Sequence, residues 1–97
     1  APDVFTPLHS PLTPDFDVYP NPTGGELNVD LANYVGRAVR LEVYSLEGKL
    51  LQFTELDEVQ HTLERLDLKG LQNGMYLVKV KSAGLPDATR RVVLARE

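Results

Sequence analysis

From Phe16 onward the apolar residues of this chain recur at every second position. Phe16 and Val18 alternate with Asp17 and Tyr19; Leu27, Val29 and Leu31 alternate with Glu26, Asn28 and Asp30; Val39, Leu41 and Val43 alternate with Arg40, Glu42 and Tyr44. Successive side chains of a strand point to opposite faces, so each run reads as a strand with one face buried. A fourth run, Lys49 to Thr54, places Leu51 and Phe53 on one face, and a fifth, Val59 to Leu68, is looser. Met75 to Lys81 and Ala88 to Arg96 complete seven runs, and no window carries a convincing helical period. Short strands parted by turn signals roughly every 8–12 residues predict an all-β chain folded as an immunoglobulin-like antiparallel β-sandwich, without the cysteine pair of antibody domains.

A chain of 97 residues makes one domain, and at this size folding buries roughly 60–70% of the extended surface, enough for one thin core. Residues 1–15 contain Pro2, Pro7, Pro11 and Pro14 with little periodicity, which favours extended backbone. The expected organisation is therefore a Pro-rich linker over 1–15 and a sandwich over 16–97. The opening Ala1-Pro2 has no initiator Met, basic stretch or apolar stretch; the expectation is a segment cut from something longer, without a signal peptide. No apolar run approaches the ~20 residues of a spanning helix, so no membrane span is expected. The absence of cysteine excludes a disulfide framework, thiolate metal sites and a Cys nucleophile, but leaves the compartment open.

The turns have identifiable chemistry. Asn21-Pro22-Thr23-Gly24 has the residue order of a type I turn, and Pro20 and Pro22 remove two backbone donors, which predicts an extended edge. Ser45-Leu46-Glu47-Gly48 should close a hairpin between the third and fourth strands, with Gly48 at positive φ. Asn73-Gly74 is the strongest hairpin dipeptide of the chain, and the strand after it carries Tyr76, Val78 and Val80 on one face. The Tyr76 hydroxyl is expected to be tied to backbone.

Charge is uneven: residues 1–34 hold five acids and no Lys or Arg, whereas 79–97 hold Lys79, Lys81, Arg90, Arg91 and Arg96 against Asp87 and Glu97. Five cations on two short strands without interleaved aromatics make a poor groove for nucleic acid, so no nucleic-acid partner is expected. Either they are the polar faces of half-exposed strands, or they form a docking face for a partner. Catalytic residues are not expected, because His9 lies in the linker and His61 in the loosest strand with no nucleophile motif nearby. The acidic cluster Glu55, Asp57, Glu58, Glu64 and Asp67 lacks the shaped, glycine-containing loop of a calcium site, so no metal is expected. Gly24-Gly25 lacks the Lys-Ser/Thr and helix of a phosphate loop, and no cofactor is expected.

Four short motifs stand in register over some seventy residues: Pro20-Asn21-Pro22, Gly48-Lys49, Leu71-Gln72-Asn73-Gly74-Met75-Tyr76 and Arg90-Arg91. In this order the chain, from about Phe16 to Leu94, resembles the C-terminal sorting domain, type A, of the type IX (Por) secretion system. It departs from that pattern at Ser45, where Asp or Asn is usual, and in a last strand with Arg90, Arg91 and Arg96 in place of lysines and an acidic Glu97 after them. Ser also bonds turn backbone, so the first change is tolerable.

The resemblance implies an address label without chemistry of its own. A fused N-terminal cargo domain would reach the periplasm and be carried by shuttle proteins and the outer-membrane translocon to the cell surface or medium. A Cys-protease-like sortase would cut in the linker before the sandwich, often joining the cargo to anionic lipopolysaccharide. Its recognition residues would be Pro20, Asn21, Pro22, Gly48, Gly74, Tyr76, Arg90, Arg91 and Arg96. The alternative is a non-catalytic spacer or a carbohydrate-binding sandwich beside a secreted enzyme. Sugar binding usually displays a coplanar row of aromatics, and this chain has no Trp, only Tyr19, Tyr34, Tyr44 and Tyr76 besides three Phe.

Overall fold

The structure, a computed structural model, describes residues 15–96. Seven strands run in chain order: β1 Asp17–Tyr19, β2 Glu26–Asp30, β3 Val39–Ser45, β4 Leu50–Leu56, β5 Leu63–Asp67, β6 Gly74–Lys81 and β7 Ala88–Leu94. They form a three-stranded sheet, β1-β2-β5, and a four-stranded sheet, β4-β3-β6-β7, with every pairing antiparallel. This is the expected immunoglobulin-like sandwich. Apart from Asp15, the expected linker lies outside the described residues.

The alternating runs bury the faces that their period implies. Leu27 and Val29 of β2, Val39, Leu41 and Val43 of β3, Val78 and Val80 of β6, and Val92 and Leu94 of β7 face one another across the sandwich. Phe16, Leu31, Tyr34, Val59, Leu66 and Leu68 close its ends and seams. Tyr34 sits on a short 3-10 turn, Ala32–Tyr34, and is fully buried. The looser fifth run resolves into two pieces. Val59 bridges Val35 at the crossing between sheets, and only Leu63–Asp67 pairs with β2.

Three local expectations change. Phe53 does not face the core: it is 53% exposed on the outer side of the four-stranded sheet, because β4 pairs Glu42 with Phe53 and Val43 with Gln52. The register then slips, pairing Tyr44 with Leu50 and leaving Leu51 at a bulge, so Leu51 and Phe53 do not form a core face. Asn73-Gly74 is not a hairpin turn, since β5 and β6 belong to different sheets and Gly74 pairs with Leu94. Asn21-Pro22-Thr23-Gly24 is not a type I turn: Tyr19–Pro20 and Asn21–Pro22 are both cis, and Asn21 bonds a distant strand instead of its own turn. The Ser45–Gly48 hairpin is as expected. Gly48 has φ +93° and donates to the Ser45 carbonyl at 3.0 Å, and Ser45 Oγ accepts from the Lys49 amide at 3.2 Å.

Candidate functional site

β7 is an edge strand, and an edge exposes a row of unpaired backbone groups. Here that row is covered by a segment some seventy residues earlier in the chain. Asn21 Nδ2 donates to the Arg91 carbonyl at 3.0 Å while its Oδ1 accepts from the Val93 amide at 2.9 Å. One side-chain amide thus reproduces the donor and acceptor of a neighbouring strand. Thr23 continues the seam with true backbone bonds, donating to Val93 at 2.8 Å and accepting from Ala95 at 2.9 Å, as a parallel bridge to Leu94. Pro20 and Pro22 flank this contact without donors of their own, which keeps the segment on the edge.

The Thr23 side chain, 1% exposed, organises the turn into β2 by donating to the Glu26 carbonyl and accepting from the Gly25 amide. Gly25 has φ +141°, and a Cβ there would stand 2.8 Å from Lys69 Cγ. Its carbonyl accepts from the Leu68 amide at 2.7 Å. Only glycine combines that backbone with so close an approach.

The segment after β5 is bound to the end of β7 from the other side. Asn73 Nδ2 donates to the Arg96 carbonyl and its Oδ1 accepts from the Arg96 amide, both at 3.0 Å. The Arg96 guanidinium reaches back to the carbonyls of Lys69 and Leu71 at 3.1 and 2.5 Å. Tyr76, half-buried against the core, donates its hydroxyl to the Gln72 carbonyl at 2.5 Å. At the opposite end of the strand, Arg90 donates to the Phe16 carbonyl at 2.8 Å and pairs with Asp15, whose own carbonyl accepts from Asn33 at 2.7 Å.

These contacts sort the expected recognition residues. Asn21, Tyr76, Arg90 and Arg96 are engaged with backbone, and Pro20 and Pro22 frame one such contact. Among the described residues Arg91 alone of the three arginines makes no side-chain bond, and it is exposed. Ser45 pairs with Tyr76 and Gly74 with Leu94, so the Gly48 turn, Gly74, Tyr76 and Arg96 lie at one end of the four-stranded sheet. The close approach of Gly25 to Lys69, the backbone seam of Thr23 with Val93 and Ala95, and the clamping role of Asn73 escape sequence reasoning, because those partners are distant in the chain.

The outer face of that sheet carries a buried carboxylate. Glu42, 4% exposed, accepts from Arg40 Nε at 2.6 Å and from the Tyr44 hydroxyl at 2.5 Å, with Lys81 Nζ 3.8 Å away. Burial by itself pushes this carboxyl up, but the two hydrogen bonds and the Lys81 charge prevail and hold it below its ordinary 4.5. The same bond raises the Tyr44 hydroxyl above its ordinary value. Arg40 also pairs with Glu55 at 3.1 Å and lies 4.0 Å over the Phe53 ring, while Lys79 lies 5.0 Å over Tyr44.

The tyrosines form no row: Tyr34 is core, Tyr76 is engaged, and Tyr19 and Tyr44 project from different sheets. A hollow of about 480 Å³ at the ends of β3, β4 and β6 holds Arg40, Lys81, Glu55 and Asp87, whose charges pair with one another or with Glu42. Among the described residues no three His, Cys, Asp or Glu side chains gather as a metal would require, and no helix is long and apolar enough to cross a membrane. The family model described as a secretion system C-terminal sorting domain matches residues 17–95. A search of the curated proteins finds none that matches the chain.

Proposed function

The chain belongs to the secretion system C-terminal sorting domain family, the type IX signal for export to the cell surface or medium, and from that membership we propose how this copy acts. It is a non-catalytic tag, fused behind an N-terminal cargo and recognised by the type IX translocon and its shuttle proteins as a folded unit. A Cys-protease-like sortase then cuts within residues 1–15. The residues that recognition reads, directly or through the shape they hold, are Pro20, Asn21, Pro22, Gly48, Gly74, Tyr76, Arg90, Arg91 and Arg96.

One observation carries this reading. Motif residues far apart in the chain converge on the last strand: Asn21 on its outer edge, Asn73 at its end, and Arg96 back onto the loop before Gly74. A generic spacer sandwich needs no such convergence. A tag that must report completed folding has a use for it, because these contacts exist only once both ends of the domain are in place.

The test is a fusion of residues 1–97 behind a reporter with its own signal peptide. Export is expected in a type IX-competent cell and not in one lacking the translocon. Retention of a folded fusion in the periplasm of the competent cell would reject the reading.

A further inference from the structure

The two outer faces of the sandwich have opposite character. On the three-stranded sheet, register places Asp17 opposite Asp30 and Glu26 opposite Asp67, with Arg65 opposite Asn28. Lys69 reaches Glu26 at 3.5 Å. Four carboxylates against these two cations leave this face acidic, with only Tyr19 and Leu63 as large exposed apolar groups.

The four-stranded sheet is the reverse. Register aligns Leu50, Tyr44, Leu77 and Arg91 across it, and beside them Met75 with Val93 and Lys79 with Thr89. Met75 and Leu50 are 39% and 38% exposed, while Leu77 and Val93 are half-buried without joining the core. The carboxylates on this face are already paired, Glu42 with the Arg40 and Lys81 charges and a hydrogen bond from the Tyr44 hydroxyl, and Glu55 with Arg40. The cations that form no ion pair among the described residues of this face are Lys79, which stands opposite Glu42 in register but lies over the Tyr44 ring, and its diagonal neighbour Arg91, and both border the apolar strip. The result is an apolar centre with a positive rim, on a chain whose net charge is −4.

We propose that this face, centred on Leu77 and Tyr44 and bordered by Lys79 and Arg91, is the surface that docks the export machinery, and that its partner is a protein surface with an apolar centre and an acidic rim. The inference rests on the sorting reading and specifies its contact. Charge complementarity selects the occupant. An acidic rim meets these two cations on this face, whereas the opposite face would repel it, so one docking orientation is defined. Apolar contact between two flat faces supplies the affinity. The patch also adjoins the end of the sheet where Gly74 and Arg96 lie. A protein fits better than an anionic membrane, because Leu77 and Val93 at the centre lie half-buried in the pleat and the chain as a whole is acidic, with a net charge of −4.

The experiment uses the full 97-residue fusion in a type IX-competent cell, with wild type, a K79E/R91E variant and, as a control on the other face, a D17K/D67K variant. Urea melts of the purified domains confirm folding. Where K79E/R91E does not fold, Lys79→Gln with Arg91→Gln is read in its place. The expected result is export reduced about tenfold or more by the Lys79 and Arg91 changes, and unchanged export of D17K/D67K. Equal export of wild type and the folded K79E/R91E variant overturns this surface while leaving the sorting reading intact; a wild-type fusion that is not exported overturns the sorting reading itself. Purified domain is also mixed with phosphatidylglycerol vesicles. Binding that is lost in K79E/R91E would assign the patch to lipid and overturn the protein partner.

Discussion

Asn21→Ala tests whether the seam along β7 exists in solution. The substitution removes a bond at 3.0 Å to the Arg91 carbonyl and one at 2.9 Å from the Val93 amide, and leaves the flanking prolines in place. A net protein hydrogen bond is worth about 0.5–1.5 kcal/mol, and both of these lie at an exposed edge where water takes over part of the role, so the lower half of that range applies. The sum is about 1–2 kcal/mol. At about 4–8 °C per kcal/mol for a domain of this size, the melting temperature should fall by roughly 4–16 °C. Amide hydrogen exchange supplies the specific reading. The Val93 amide, which loses its acceptor, should exchange faster than the global loss of stability explains, whereas the Val78 amide in the interior strand should follow that loss alone. A melting temperature within about 1 °C of wild type, with Val93 still protected, would refute the seam.

Three further outcomes are expected. Arg96→Glu should destabilise the domain by about 1–2 kcal/mol, since it replaces two charge-assisted bonds to the Lys69 and Leu71 carbonyls with repulsion; Arg91→Glu should leave the urea midpoint unchanged, and equal losses would show that the two side chains are not placed differently. Gly25→Ala should cost about 2 kcal/mol or more, from a φ of +141° and a Cβ 2.8 Å from Lys69 Cγ, read as a drop in the urea midpoint that Gly24→Ala, with nothing within 4 Å, does not produce. Glu42→Gln should destabilise at neutral pH and progressively less in acid: the Glu42 pKa is lowered by folding, so its contribution is present above the ordinary 4.5 and disappears as pH falls through the folded value. A wild-type advantage over E42Q that persists undiminished at pH well below 4 would rule out the ionised network.

Alternation tells which residues share a face but not which face is inside, and β4 illustrates the gap. Leu51 and Phe53 look like a core pair, yet the inward register positions of that strand hold Gln52, Thr54 and Leu56, opposite Val43, Leu41 and Val39. Gln52 reaches the Asp67 carbonyl at 3.2 Å, so an edge strand at the sandwich corner can turn polar side chains inward. Asn73-Gly74 misleads for a different reason. The dipeptide favours a tight turn locally, but β5 already pairs with β2, and the chain must cross to the other sheet to form β6. The Asn21 and Asn73 side chains act on partners 72 and 23 residues away, and no local pattern encodes a contact of that range.

The arginines of the last strand were more legible than their grouping suggests. Val92 and Leu94 are buried, so positions 90 and 96 share their parity and point toward the sandwich, whereas 91 and 93 point away. Arg90 and Arg96 do turn to carbonyls at the two ends of the core, Phe16 at one and Lys69 with Leu71 at the other. Arg91 stands on the outer face opposite Leu77. Treating the three as one basic patch therefore mixes two causes of lost export. A triple Glu variant would unlatch both ends of β7 and also reverse the exposed charge, and secretion would fail whichever mattered. Separating the parities removes the ambiguity: folding should follow positions 90 and 96, and export of a folded domain should follow position 91.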